Sequence, residues 1–169
     1  MLKINKILYA TDLSESAKSA LGWAMSLAEQ YDAEITIIHT IPDVVEEIAA
    51  SVGYDLAAHF DIKQLSDLNK EGQHDALNGI KERIKSVCGE VKDEFPSCRM
   101  DFNRIIIKAG HPVREIIAAA TDGQFDVIVM GTHGHSLIDE FFLGSVARGV
   151  VHKSPIPVLT IRLPGEEKV

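Results

Sequence analysis

Asp126-Val-Ile-Val-Met-Gly-Thr-His-Gly134, nine residues, Gly144-Ser145-Val-Ala-Arg-Gly-Val-Val-His-Lys153 and Pro157-Val-Leu-Thr-Ile-Arg162 form one unit. A short apolar run leads into two glycines three apart. A third glycine, followed by a hydroxyl, opens a helical pattern, and a second apolar run closes the unit. Strand, loop, helix and strand in that order imply parallel pairing through a right-handed crossover. The glycines also suit a loop whose backbone approaches a negative group. Glycine tolerates positive φ and carries no Cβ, and a helix start offers unpaired N–H groups with a partial positive charge.

The same alternation extends back to the N-terminus. Lys6–Ala10 reads as a strand. Ser14 to Tyr31 carries Ala17, Ala20, Leu21, Ala24, Leu27, Ala28 and Tyr31 at helical spacing. Ala33–His39 reads as a second strand, ended by Ile41-Pro42. Asp43–Phe60 has no clean period and is expected to be a short helix or an excursion over the sheet edge. A long helical pattern from about Asp61 places Leu77, Ile80, Ile84, Val87 and Val91 on one stripe, with Pro96 as its stop. Met100–Ile107 is a third strand. Gly110-His111-Pro112 starts a helix with proline at the favoured first position; Val113, Ile116, Ile117 and Ala120 face its core and Gly123 closes it. The fold class is therefore α/β: an open parallel five-stranded sheet with helices on both faces, whose first, second and fourth strands are almost uniformly apolar. Residues 1–163 are expected to form a single domain and residues 164–169 a frayed tail.

Composition narrows the function. The chain has 169 residues, 46% apolar and 25% charged, with a formal net charge of −8. An acidic surface argues against nucleic acid or an anionic membrane as partner. It also means that an anionic ligand must be held by local donors. No apolar run reaches the length of a membrane span and no signal-peptide layout opens the chain, so a cytoplasmic protein is expected. Cys88 and Cys98 form no metal or redox motif.

In open parallel sheets, ligands bind beyond the carboxyl ends of the strands. Three such ends carry suggestive residues: Ala10-Thr11-Asp12, His39-Thr40-Ile41 and Met130-Gly131-Thr132-His133-Gly134. Asp12 is a candidate acceptor for ribose hydroxyls and, compatibly, a cap for the first helix. Backbone around Thr40 is placed to read an adenine edge, and the loop from Gly131 to Ser145 to hold phosphates. The loop lacks the Gly-Lys-Ser/Thr of a Walker A motif and the Gly-x-Gly-x-x-Gly of dinucleotide binders. His39 reads as a core histidine, and the remaining histidines do not converge on a zinc site. Asp139 and Glu140 are expected to face solvent. Arg148 is the nearest cation to the loop. No nucleophile–base pair and no Gly-x-Ser-x-Gly elbow is evident, so at most slow phosphate loss from a bound nucleotide is expected.

Gly131-x-x-Gly134, nine residues, Gly144-Ser145 resembles the nucleotide-binding signature of the universal stress proteins. Lys6-Ile-Leu-Tyr-Ala-Thr-Asp12, Ile38-His39, Gly110-x-Pro112 and Pro155-Ile-Pro157-Val158-Leu159 fit the same family, so the resemblance spans essentially the whole chain. Ala10 stands where many members have proline, and Thr40 where an aliphatic residue is common. The resemblance implies a Rossmann-like, adenine nucleotide alpha hydrolase-like domain with strand order 3-2-1-4-5. It implies that backbone at Ala10 and Thr40 borders an adenine, that Asp12 meets the ribose, and that Thr11 belongs to the same nucleotide site. Met130, Gly131, His133 and Gly134 would line one side of the nucleotide, and Gly144, Ser145 and Val146 would bind its phosphates. The expected ligand is ATP, or ADP or AMP, with Mg²⁺. The family also implies a homodimer, and Val158–Ile161 is expected to be the sheet edge through which it forms. The leading functional expectation is a nucleotide-dependent stress or energy-state regulator with an unidentified protein partner. A weak ATPase or phosphoryl or adenylyl transferase, and a nucleotide-free dimeric scaffold, are the alternatives.

Overall fold

The computed structural model describes residues 3–41, 70–92, 95, 100–133 and 143–163, with backbone alone for 70–76, 92, 100, 102 and 103. The expectations for Asp43–Phe60, Pro96, Cys98, Gly134, Asp139, Glu140 and the tail 164–169 lie outside the described residues. The elements run β1 (Lys6–Ala10), α1 (Glu15–Tyr31), β2 (Glu34–Ile41), α2 (Lys70–Lys92), β3 (Met100–Ala109), α3 (Pro112–Asp122), β4 (Val127–Gly131), α4 (Ser145–Lys153) and β5 (Val158–Ile161). All four strand pairings are parallel and the order is β3-β2-β1-β4-β5.

Alternation along the strands divides the core into two layers. Ile7 and Tyr9 of β1, Ile35 and Ile37 of β2, and Val127 and Val129 of β4 pack with α1 and α2. Leu8 and Ala10, Ile38, and Ile128 and Met130 pack with α3 and α4. Helices on both faces explain why β1 and β4 read as unbroken apolar runs.

Ser14 caps α1, its hydroxyl accepting from the Ala17 amide at 3.2 Å. Asp12, one of the two roles considered for which was this cap, instead accepts the Ser14 amide at 3.0 Å from two residues upstream. The buried arc of α1 includes Met25, absent from the expected stripe, whereas Tyr31 remains 41% exposed. Tyr31 is the last helical residue, followed by Asp32 in the left-handed conformation, where the chain turns away. The Tyr9 hydroxyl donates to the Ala17 carbonyl at 2.6 Å and ties β1 to α1; burial pushes its phenol well above the usual range. In α2, Ile84, Cys88 and Val91 are buried. Burial pushes the Cys88 thiol up to about 12, making it a structural rather than a reactive cysteine.

Gly123 ends α3, but for a different reason from the one its type suggested. Its φ is −79°, and the left-handed residue is Gln124 at φ 52°. A Cβ at 123 would lie 2.3 Å from Phe125 Cε2, so packing requires the glycine. Asp126 precedes β4 rather than beginning it. Its carboxylate accepts the amides of Asn5 at 2.7 Å and Lys6 at 2.9 Å, bonds that hold its carboxyl below the usual range and tie the starts of β1 and β4 together. Among the described residues no helix is long and apolar enough to cross a membrane.

Candidate functional site

The chain builds outward from β1 to β2 and β3, then returns to place β4 on the other side of β1. The carboxyl ends of β1 and β4 therefore diverge at the point where strand order reverses, and a crevice opens there. It has a volume of about 630 Å³, within the range of small-molecule sites.

Ala10, Thr11, Asp12, Thr40, Met130, Gly131, His133, Gly144, Ser145 and Val146 all line this crevice. Gly134 lies outside the described residues. The wall also contains Ile38, Pro112, Ile116 and Leu143, which are not among the residues expected there from sequence, together with Thr132, Ala147 and Arg148. Ile116 was legible as an apolar residue on the inner face of α3, and Thr132 lies inside the glycine motif. Only the order of the strands brings α3 to the crevice, so short-range spacing does not expose its contribution.

Main-chain geometry gives the crevice donors and acceptors at two places. On β2, the Ile38 carbonyl accepts from Thr11 N at 3.0 Å, while the Ile41 carbonyl accepts from Gly110 N at 3.0 Å across the opposite edge. Alternation then turns the amide and carbonyl of Thr40 to the β1 side. β1 ends at Ala10, so these groups face the gap beyond it. Thr11 itself is committed to the framework. Its amide bonds Ile38, its carbonyl meets His39 Nδ1 at 2.7 Å, and its hydroxyl accepts from Leu13 N at 3.1 Å. His39 is thus a satisfied structural histidine. Leu13 holds φ at 67° beside this turn, a left-handed conformation uncommon for such a residue.

The second place is the start of α4. Gly144 N donates to Thr132 O at 2.8 Å, and the first intrahelical bond runs from Arg148 N to Gly144 O at 2.9 Å. Among the described residues no side chain caps this end. The amides of Ser145, Val146 and Ala147 consequently lack intrahelical acceptors, and all three residues line the crevice. Arg148 lies at the same mouth and is exposed. Asp12 is the lining carboxylate; one oxygen holds Ser14 N, and a carboxylate has acceptor capacity beyond one bond.

Two glycines of the motif need correction. Neither Gly131 nor Gly144 has a positive φ; among the described glycines only Gly110 does, at 134°. A Cβ on Gly131 would lie 2.3 Å from Ser16 Oγ and 2.8 Å from the Ser16 carbonyl carbon. A Cβ on Gly144 would lie 2.8 Å from Thr132 O. Both bare positions are filled by neighbouring chain rather than kept open for a ligand. They let the end of β4 press against the first turn of α1, and the cap of α4 press against Thr132.

His133 sits between these contacts. Its amide donates to Ser16 Oγ and its carbonyl accepts from Ser14 Oγ, each at 3.4 Å. Its ring Nδ1 lies 2.9 Å from Thr132 Oγ1. Its Nε2 is shielded from water and has no hydrogen-bond partner among the described residues. Among the described residues no three His, Cys, Asp or Glu side chains gather to hold a metal ion.

Comparison with known proteins follows the same architecture. The model of the universal stress protein family matches residues 3–98 and 101–162. Universal stress protein MJ0577 of Methanocaldococcus jannaschii is 32% identical over 160 residues, covering 93% of this chain and 94% of that protein. Its solved structure superposes with a TM-score of 0.68 at 29% identity, covering 96% of this chain and 99% of that one. Universal stress protein YxiE of Bacillus subtilis is 31% identical, over 94% of this chain and 99% of its own length. A universal stress protein solved in complex with cAMP shares the fold, with a TM-score of 0.55 at 19% identity, covering 95% of this chain and 98% of that one. The chain belongs to the universal stress protein family.

Proposed function

We propose that the crevice binds an adenine nucleotide, ATP foremost, and that its occupancy is the signal this universal stress protein reports. The observation that carries the reading is the start of α4: three amides without intrahelical acceptors, no capping side chain among the described residues, and a wall of the crevice formed by the same residues. Such a helix start suits a phosphate chain. Across the crevice, the Thr40 main chain presents a donor and an acceptor beyond the end of β1, an arrangement suited to a base edge. Ala10, Ile38, Ile116 and Met130 supply apolar surface for a ring system, and Asp12 suits ribose hydroxyls.

Charge points to Mg²⁺ as a companion. The chain carries a net −8, and among the described residues Arg148 is the one Lys or Arg on the wall. Neutral amides and one exposed guanidinium leave much of a triphosphate's charge uncompensated, and a cation carried by the phosphates would offset it. The proposed setting is the cytoplasm, and the output a homodimer formed through β5, one of the two edge strands of the sheet. An apolar edge with open main-chain groups is a template for a second copy.

The test is thermal unfolding with MgATP, ADP, AMP, cAMP and MgGTP. Ligand at one hundred times its Kd adds about 2.7 kcal/mol, which raises Tm by about 5–10 °C for a domain of this size. A rise with adenine nucleotides and little with MgGTP supports the reading. No shift with any adenine nucleotide refutes it. Identifying the small molecule released by denaturing protein purified without added nucleotide tests the same point on the cell's own ligand.

A further inference from the structure

We propose that Thr132 is a positioning residue: its hydroxyl donates to His133 Nδ1 and so keeps the ring proton on Nε2, where it serves a phosphate oxygen of the bound nucleotide. The inference rests on the nucleotide reading above and adds a residue to it. Three observations carry it. Thr132 is 6% exposed and Oγ1 lies 2.9 Å from Nδ1. Among the described residues that is the one partner of Oγ1. And Nε2 is the one buried side-chain nitrogen or oxygen among the described residues that lacks a partner.

Proton counting decides the tautomer. A threonine hydroxyl has one proton to give, and a neutral imidazole has one N–H and one bare nitrogen. If Nδ1 carried the proton and donated to Oγ1, the hydroxyl's own proton would point into a buried space without an acceptor. If the hydroxyl donates, that proton is satisfied and the imidazole proton resides on Nε2. The second arrangement leaves a single unmade bond, the donor at Nε2. A buried donor without an acceptor is costly, and such an atom in a native structure calls for a missing partner.

The place of the residue indicates that partner. His133 lines the crevice, and an ideal Cβ on Gly144 would lie 3.6 Å from its Cα, so the residue adjoins the cap of α4, whose amides suit phosphate. A phosphate oxygen accepts hydrogen bonds and offers none in return when ionised, so the Nε2–H tautomer is complementary to it and the other repels it. Water does not reach Nε2. Phosphate binding at this donor thus requires the atoms covering Nε2 to shift, so that the Nε2 proton responds to ligand.

Thr132 also acts through its main chain, donating to Ile161 O and accepting from Gly144 N, each at 2.8 Å. Valine keeps both bonds and the side-chain shape while removing the hydroxyl. The experiment is a long-range ¹H–¹⁵N spectrum of the histidine rings at pH 8, above the ordinary imidazole range, with His133 assigned through His133→Gln. It is recorded with and without MgATP, beside titrations of MgATP and adenosine. In the unmodified protein we expect His133 in the Nε2–H form and a shift of that proton on MgATP addition. Thr132→Val should mix the tautomers and weaken MgATP about tenfold, the scale of one hydrogen bond to a charged group. Adenosine affinity should change less than about twofold, and Thr132→Ser should restore MgATP. An Nδ1–H ring in the unmodified protein overturns the assignment, as does an Nε2 proton indifferent to saturating MgATP or a Thr132→Val variant with unchanged spectrum and affinity. Failure of the unmodified protein to bind any nucleotide would defeat the functional reading instead, and the tautomer alone would then decide the role of Thr132. It would decide it equally if Thr132→Val did not fold.

Discussion

Replacing Gly131 with alanine should destabilise the protein strongly in the absence of any ligand. The added Cβ would lie 2.3 Å from Ser16 Oγ, 2.8 Å from the Ser16 carbonyl carbon and 3.0 Å from Ala17 N. The hydroxyl can rotate away, but the two main-chain atoms belong to the first turn of α1 and cannot. Overpacking of this kind costs about 1–3 kcal/mol, and contact with backbone places this case near the upper value. Tm should fall by about 6–12 °C at 2–4 °C per kcal/mol. Gly22 of α1 supplies the control, because a Cβ there meets nothing within 4 Å. Gly22→Ala should raise stability by about 0.5–1 kcal/mol, as expected for a glycine inside a helix. Urea unfolding of both variants without nucleotide measures the contrast, followed by the emission of Trp23, the chain's one tryptophan. A Gly131→Ala midpoint within error of the unmodified protein would refute the packing account and return the glycine to the ligand.

Three other consequences are open to measurement. Ser14→Ala removes the α1 cap and should cost about 1 kcal/mol, read as a lowered urea midpoint. Asp126 has a depressed carboxyl in the folded state; its contribution is therefore present above the unfolded carboxylate pKa of about 3.9 and is lost as pH falls through the lower folded value. Asp126→Asn should accordingly lower the urea midpoint at pH 7, with the gap narrowing in acid; a gap constant with pH would contradict this. In a Cys98→Ser background, Cys88 should resist a thiol reagent at pH 8 until the protein unfolds, because burial holds its thiol near 12; rapid labelling of folded protein would contradict its placement in the core.

Much of the architecture was legible because helix and strand periods are clean where both faces of the sheet are covered. Ile7, Leu8, Tyr9 and Ala10 form an unbroken apolar run, and the structure buries all four. The strand ends were less legible. β2 continues to Ile41 and β3 to Ala109, because each supplies the other with a partner at Thr40–Lys108 and Ile41–Ala109, a pairing no local period reveals. At the crevice, strand-end positions could be read from sheet logic, whereas Ile116 and Pro112 arrive from α3 through tertiary placement. The direction of the Thr40 main chain depends on which neighbouring strand each carbonyl serves, and so on register. The glycines were legible as special positions, but their bare faces were assigned to a ligand when neighbouring chain occupies them.

This packing changes what the glycine spacing can diagnose. If Gly131 and Gly144 are required by the joint between β4, α1 and α4, a descendant that had abandoned its ligand would still keep them, because losing either would strain the joint. A pattern search on those glycines thus recovers a shared hinge of construction, binders and non-binders together. Sorting the two calls for the features a joint does not need: a helix start left uncapped, and a ring nitrogen left waiting.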